Sequence, residues 1–370
     1  MTRAAIHALM VNYNQPHYCE NAIKMLVSNN HDELATRRVE LNIHWIDNSG
    51  TASCLYRDRA QQFSTTAGIK WHVHRNPTNL GFGQACQRVF SNLEWSDFVL
   101  LINPDTELSG LAIMHDSLTI ANDSVAGIGP KSFWDIDKKF LLPPTWLIDE
   151  NFIKNEVLSR YSSTYARYRS RLFRDASIRI WTATKTIPIE AVSGACGLFR
   201  VDALHLVGGL FDKAFFMYWE DTELMLRLKR ADLKMLFDPQ AHLIHYYEHT
   251  AAKSTMIESG RDTYLSRLEL GSYWKESQIS RKESLWPIET IYLSTGSDLR
   301  IQHPRPSLHH RNAEGPLWEL GFSEEFVPSI GTFSEHLMVP WHLIARVSEI
   351  PIYIRTINDH NVNCWKVTVS

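Results

Sequence analysis

Two groups of carboxylates stand where carboxylates are costly. Asp105 follows the apolar run Val99-Leu100-Leu101-Ile102 through Asn103-Pro104, and so closes a strand that reads as buried. A carboxylate there loses hydration unless something positive compensates it, and a divalent cation would do so. The competing reading is a plain turn, because Asn-Pro-Asp-Thr is good turn chemistry by itself. The second group is Glu220, Asp221 and Glu223, which follow Phe215-Phe216-Met217-Tyr218-Trp219 and enter an apparent helix. Acids in a first helical turn complement the helix dipole. That leaves the aromatic wall beside them unexplained, and apolar surroundings make a carboxylate a better base. A third cluster is Asp238 followed by His242, His245 and His249. His245 closes the strand-like residues 241–244 as Asp105 closes another run, and a carboxylate and an imidazole at neighbouring strand ends can share one metal ion.

Two loops carry no charge but have the right texture for ligand contact. In Asn76-Pro77-Thr78-Asn79-Leu80-Gly81-Phe82-Gly83 the glycines permit a tight loop before a helix N-terminus, a natural anion cradle. It is no dinucleotide fingerprint, because Cys86 stands at the third glycine position and the loop does not follow the first strand. In Ser193-Gly194-Ala195-Cys196-Gly197 the small residues let backbone approach either a ligand or another strand.

The elements that must position these residues alternate in type. Strand patterns over 6–12, 41–46, 69–74 and 98–102 alternate with helical patterns over 18–28 and 83–93. Such alternation predicts a mostly parallel sheet covered by helices, with ligands beyond the carboxyl ends of its strands. Asn12-Tyr13-Asn14, Asp47-Asn48-Ser49-Gly50 and Asn103-Pro104-Asp105 all stand at such ends. Residues 150–185 form a basic, aromatic helical insertion, with Lys154, Arg160, Arg167, Arg169, Arg171, Arg174, Arg179 and Lys185. It is either a solvated helix face or a contact for an anionic acceptor or membrane surface. A helical stretch over 254–276 follows. Strand patterns over 288–294, 351–357 and 363–369, punctuated by Trp286-Pro287, Pro304, Pro306 and Gly315-Pro316, then predict a small β unit. The expected division is 1–280, comprising halves 1–125 and 126–280, and 285–370.

Composition sets outer bounds. The 370 residues are 44% hydrophobic and 21% charged, ample for large cores. A formal net charge of -3 gives no global attraction to nucleic acid. Cys19, Cys54, Cys86, Cys196 and Cys364 are scattered without a CxxC, which reads as reduced thiols in a cytoplasmic protein. Met1-Thr2-Arg3-Ala4 lacks the apolar core of a signal peptide. No apolar run reaches the ~20 residues of a membrane span, so membrane contact would be peripheral.

Taken in order, Val11-Asn12-Tyr13-Asn14, Asp47-Asn48-Ser49, Asn79-Leu80-Gly81-Phe82, Asn103-Pro104-Asp105, Ser193-Gly194-Ala195, Glu220-Asp221 and His245 resemble the family-2 glycosyltransferases. The likeness is greatest to rhamnosyltransferase-like and galactofuranosyltransferase-like members and covers residues 5–255. It implies the GT-A fold, a nucleotide-binding α/β half joined to an acceptor-binding half, with the C-terminal β-rich unit outside the resemblance. By the same resemblance, Asn12, Tyr13 and Asp47 hold the base and ribose, and the loop of Asn79, Gly81 and Phe82 closes over the nucleotide. Asp105 and His245 bind Mg²⁺ or Mn²⁺. Asp221 is the catalytic base, with Trp219, Glu220 and Glu223 shaping the acceptor site. Asn103, also on the nucleotide side by this resemblance, replaces the first acid of the family's Asp-x-Asp motif, a form familiar among rhamnosyltransferase-like members. Gln87 departs from the family's asparagine after the glycine loop. The implied activity is inverting transfer from a nucleotide-sugar, dTDP-rhamnose first, to a glycan or lipid-linked acceptor at the inner membrane face. The alternatives are an inactive nucleotide- or glycan-binding protein of the same fold, or a UDP-dependent galactofuranosyl or hexosyl transferase. A nucleotidyltransferase would need a glycine- and lysine-rich loop after the first strand, which Asn12-Tyr13-Asn14-Gln15-Pro16 is not.

Overall fold

In a computed structural model of the chain, residues 5–37, 40–50, 69–248, 251–277, 283–303, 315–358 and 361–370 are described. His249, Cys54, Pro304 and Pro306 lie outside them. The elements run β1 (Ala5–Asn12), α1 (Pro16–Arg37), β2 (Glu40–Asp47), β3 (Ile69–Arg75), α2 (Gly81–Phe90), β4 (Phe98–Ile102), β5 (Thr106–Ser109), α3 (Leu111–Ile120) and β6 (Val125–Phe133). There follow α4 (Glu150–Tyr161), α5 (Ser163–Trp181), β7 (Ile187–Ile189), β8 (Cys196–Arg200), α6 (Val201–Leu206), α7 (Glu220–Arg230), β9 (Lys234–His245), α8 (Ala251–Arg267) and α9 (Gly271–Ser277). The remainder is β10 (Ile288–Leu293), β11 (Leu299–Gln302), β12 (Leu317–Gly321), β13 (Ser329–Phe333), β14 (His336–Val339), α10 (Trp341–Ile344), β15 (Ile352–Asn358) and β16 (Asn361–Val369).

The main sheet has the order β3-β2-β1-β4-β8-β6-β9-β5, with β7 also on β9. β3, β2, β1 and β4 are parallel neighbours. β6 and β9 run the same way, while β8, β5 and β7 oppose them. Alternation along each strand divides the core in two. Ile6, Ala8 and Met10 of β1 face α1, through Cys19, Ala22, Ile23 and Leu26. Leu9 faces the other way, onto Phe82, Ala85 and Val89 of α2. α1 begins earlier than its apolar periodicity indicates, with Pro16 at its first position, where a missing N–H costs nothing. The architecture is α/β, a large and mostly parallel sheet covered by helices, with a separate C-terminal sheet ordered β10-β16-β15-β12-β13.

The C-terminal sheet is locked onto the preceding chain. Leu141 exchanges backbone hydrogen bonds with Gly331 (2.7 and 2.9 Å) and bridges Phe133 at the end of β6. Trp181 packs against Gly331, where an added Cβ would come within 2.3 Å of the ring. Arg355 and Glu319, at 1% and 0% side-chain exposure, pair at 2.7 Å. Arg355 also donates to Ser170 Oγ (2.7 Å), and Arg174 pairs with Glu319 (3.2 Å).

These contacts revise the basic segment. It is helical, as α4 and α5. Arg160 and Arg169 both reach Glu156 and Glu325. Arg167 donates to the Leu285 carbonyl (2.9 Å), and Arg174 turns to Glu319. Lys154, Arg171, Arg179 and Lys185 stay exposed. Four of the eight basic side chains thus engage Glu156, Glu325, Glu319 or the Leu285 carbonyl.

Candidate active site

The end of β4 and the end of β9 meet through a strand that periodicity does not show. After Asn103-Pro104-Asp105 the chain enters β5, which pairs antiparallel with β9, Thr106 opposite His245. That register sets Asp105 Oδ2 3.5 Å from His245 Nε2. Burial pushes the Asp105 carboxyl up, but the hydrogen bond and charge of His245 bring it, on balance, below its ordinary value. A carboxylate oxygen and an imidazole nitrogen this close together are a donor pair that would suit Mn²⁺ or Mg²⁺. Among the described residues there is no group of three or more His, Cys, Asp or Glu that would hold an ion alone.

The acid cluster is held by backbone strain. Tyr218 and Trp219, immediately before α7, both have left-handed φ, 67° and 71°. Such conformations cost on the order of 1–3 kcal/mol each and need outside support. Gly260 of α8 supplies it: an added Cβ would come within 2.5 Å of the Tyr218 carbonyl oxygen. Tyr264 packs on Trp219 with centroids 5.4 Å apart, and its hydroxyl donates to the Ile148 carbonyl. Asp221 is then fixed by two backbone donors, Gly194 N–H to Oδ2 (2.9 Å) and Thr222 N–H to Oδ1 (2.7 Å). Gly194 has no room for a side chain, since its Cβ would lie 2.9 Å from Asp221 Cβ. The carbonyl of the next residue, Ala195, accepts from Asn103 N–H (2.9 Å). The loop 193–195 thus ties the head of α7 to the turn that carries Asp105.

Glu220 and Glu223 differ in role. Glu220 is 6% exposed, and its Oε2 meets no hydrogen-bond partner among the described residues. Burial first, and the charge of Asp221 second, push its carboxyl up to about 8. Glu223 was expected to touch the acceptor, yet both its oxygens accept from Arg227 Nε (2.9 Å). The same guanidinium holds the carbonyls of Val207, Gly209 and Leu210. Glu223 therefore secures that loop.

At the ends of β1, β2 and β3 the expected nucleotide residues form an amide network. Asn12 donates to Asp47 Oδ1 (3.1 Å) and Ser49 Oγ (3.2 Å). Asn48 donates to the Gly81 carbonyl (2.8 Å), and Asn76 to Asn48 Oδ1 (2.7 Å). Asn79 Oδ1 accepts from Gly81 N–H (2.9 Å), and Phe82 N–H donates to the Phe216 carbonyl (2.8 Å). Gly81 has φ 77°, and a Cβ there would overlap the Phe216 carbonyl oxygen at 2.0 Å. Asn12 and Asp47 are buried beneath this surface and Tyr13 is half-exposed on it. Phe82 belongs to the core. Sequence reasoning missed Arg88, which anchors Asn76 (2.9 Å). Its signal was a lone cation on a helix, seven residues beyond Gly81. Asp238 is structural: it accepts from Ser117, Thr186 and Gln240 beside a bulge in the β6–β9 pairing.

This fold and this set of strand-end residues define the class: an α/β protein with a large, mostly parallel sheet and acids and amides gathered at one end of it. Two curated proteins and two solved structures are similar to parts of this chain. Over 90 residues the chain is 33% identical to N-acetylglucosaminyl-diphospho-decaprenol L-rhamnosyltransferase of Mycobacterium tuberculosis, 24% of this chain and 29% of that protein. Over 61 residues it is 38% identical to Rhamnosyltransferase WbbL of Escherichia coli, 16% of this chain and 23% of that protein. The chain thus matches less than a third of the length of these curated relatives, and over that stretch it is rhamnosyltransferase-like. The structure is similar to GalNAc-T7, crystallised with UDP, GalNAc and Mn²⁺. The TM-score is 0.45 at 13% identity, over 74% of this chain and 53% of that one. It is also similar to Staphylococcus aureus TarS with UDP, with TM-score 0.41 at 11% identity over 64% of this chain and 60% of that one. No protein-family model matches the chain.

Proposed function

We propose that the chain is an inverting, metal-dependent glycosyltransferase that moves a sugar, rhamnose first, from a nucleoside diphosphate to a glycan or lipid-linked glycan hydroxyl. The observation that carries this reading is the loop 193–195, which accepts Asn103 N–H on one side and donates to Asp221 on the other. Displacement with inversion needs a base on one side of the reacting carbon and charge stabilisation on the other, and this loop spaces the two. Asp221 takes the acceptor hydroxyl's proton as its oxygen attacks, its carboxylate oriented by Gly194 and Thr222. Asp105 and His245 would hold Mg²⁺ or Mn²⁺, which when bound offsets the charge growing on the departing diphosphate. Asn12, Asp47 and the loop at Asn79–Gly81 shape the nucleotide side. The mycobacterial relative's name places its acceptor on a diphospho-decaprenol lipid, and a similar acceptor at the cytoplasmic membrane face suits this chain. Among the described residues no helix is long and apolar enough to cross a membrane.

The test is Asp221→Asn, which keeps size and loses basicity. The expected result is a kcat lower by about 10²–10⁴-fold with nucleotide binding intact. Near-normal turnover would remove Asp221 from the role. A wild-type chain that binds nucleoside diphosphate yet neither transfers nor hydrolyses any sugar would favour a binding protein of this fold.

A further inference from the structure

The C-terminal unit sends one cation back to the ligand-binding end of the main sheet. Arg346 follows α10. One of its terminal nitrogens donates to the Trp134 carbonyl (3.0 Å), and its guanidinium lies over the Tyr246 ring, 5.1 Å from the centroid. Trp134 in turn donates from Nε1 to the Tyr247 carbonyl (3.0 Å). Tyr246 and Tyr247 are the two residues after His245, and Tyr246 N–H donates to the Asp105 carbonyl (2.9 Å). The Tyr246 hydroxyl is held in turn by Glu107 (2.7 Å). Arg346 is therefore fastened to the backbone that carries both candidate metal ligands.

Its position and free valence are those of an anion receptor. Glu248 first, then Tyr246, Tyr18 in the first turn of α1, and Asp135 lie within its electrostatic reach. Tyr246 directly follows the end of β9 and is hydrogen-bonded to Asp105, so the guanidinium over its ring sits on the rim where the strand-end clusters gather. Asp135 is already engaged by the backbone N–H groups of Lys139 and Phe140. Among the described residues no carboxylate pairs with Arg346 at ion-pair distance. A half-buried guanidinium, fixed at one edge by a carbonyl and on its face by a tyrosine, keeps its other donors for a pair of oxygens on an anionic partner.

We propose that Arg346 is a diphosphate-binding residue, supplied to the transferase site by the C-terminal unit. Resting on the functional reading above, the diphosphate belongs either to the nucleotide donor or to a lipid-diphosphate acceptor. Both present the same oxyanions at this rim. The C-terminal sheet then completes the site as well as bracing it.

The test uses the full chain and its variants Arg346→Gln, which keeps a donor for the Trp134 carbonyl, and Arg346→Ala. Binding of inorganic pyrophosphate, UDP and dTDP is measured by calorimetry with Mn²⁺ present, alongside the KM for acceptor. Loss of a charge-assisted contact should weaken one diphosphate ligand about tenfold or more in both variants. A higher Kd for UDP or dTDP with unchanged acceptor KM assigns Arg346 to the donor. A higher acceptor KM with unchanged nucleotide binding assigns it to the acceptor. If pyrophosphate binds in an Arg346-dependent way but no nucleotide does, this inference stands and the transferase reading falls. Unchanged pyrophosphate, nucleotide and acceptor parameters in Arg346→Gln overturn the inference, whatever happens to its melting temperature.

Discussion

Glu220 holds a proton in the folded chain that the unfolded chain gives up. Its carboxyl stands at about 8 when folded and 4.5 otherwise, through burial and then the charge of Asp221. Between those values the unfolded state binds fewer protons, so this group makes stability fall as pH rises from about 4.5 to 8 and leaves it level above. Glu220→Gln removes the titration, and the melting temperature of the variant relative to wild type should climb across that window. A constant difference would mean that Glu220 ionises normally. Asp105 and His245 belong to the same scale. Asp105→Ala and His245→Ala should each weaken Mn²⁺-dependent UDP or dTDP binding by about 10-fold or more, and imidazole ligation favours Mn²⁺ over Mg²⁺. Full transferase activity in excess chelator would remove both from a metal role.

At the scale of elements, β1, β2 and β3 carry a ladder of imidazoles across one sheet face. His7 Nε2 meets Asp97 (3.1 Å), His7 Nδ1 meets His44 Nε2 (2.8 Å), and His44 Nδ1 meets His74 Nε2 (2.9 Å). His72 stacks on His44 at 4.5 Å. Burial, then the neighbouring imidazoles His72, His7 and His74, push His44 down to about 2, and His7, His72 and His74 are also lowered. Groups kept neutral in the fold but protonated when unfolded stabilise at high pH, and that contribution is lost as pH falls below 6.5. This slope opposes that of Glu220, so the two are separated by variants and not by the wild-type profile. His44→Asn should flatten the loss of melting temperature between pH 7 and pH 5. An unchanged slope would show that the ladder accepts protons without penalty. The ladder was legible only as residue types, since the cross-strand register that stacks them comes from sheet pairing.

At the scale of the whole molecule, the question is whether the C-terminal sheet stands apart. Its strand patterns and the boundary at 285 suggest a unit whose removal leaves the rest folded. Its contacts argue otherwise. Trp134 and Phe140 are packed into the core of that unit, and Trp181 covers Gly331. Removing residues from 285 onward would bare these side chains and strip Arg169 and Arg174 of Glu325 and Glu319. The truncated chain should therefore melt lower or fail to stay soluble. A milder probe is Glu319→Ala, which leaves the buried Arg355 and the partly buried Arg174 without their carboxylate and should cost about 3–5 kcal/mol by chemical denaturation. An unchanged midpoint in either case would restore the independent unit.

Local pattern was enough for much of this protein. The alternation of β1 to β4 with α1 and α2, and the gathering of Asn12, Asp47 and Asp105 at strand ends, follow from periods of 2 and 3.6, which neighbouring residues set among themselves. The helical nature of the basic segment follows in the same way. Partner choice does not. The strand β5 is four residues long and carries too little periodicity to be seen, yet its register on β9 is what joins Asp105 to His245. Glu223 reads like Glu220 in the sequence, and only Arg227 and the loop at 207–210 make it structural. Arg174 and Arg171 are the same residue type three positions apart, and one is partly buried on Glu319 while the other faces solvent. Burial and pairing of charges depend on which distant segments the fold brings within a few ångströms, a property of the folded chain with no local trace.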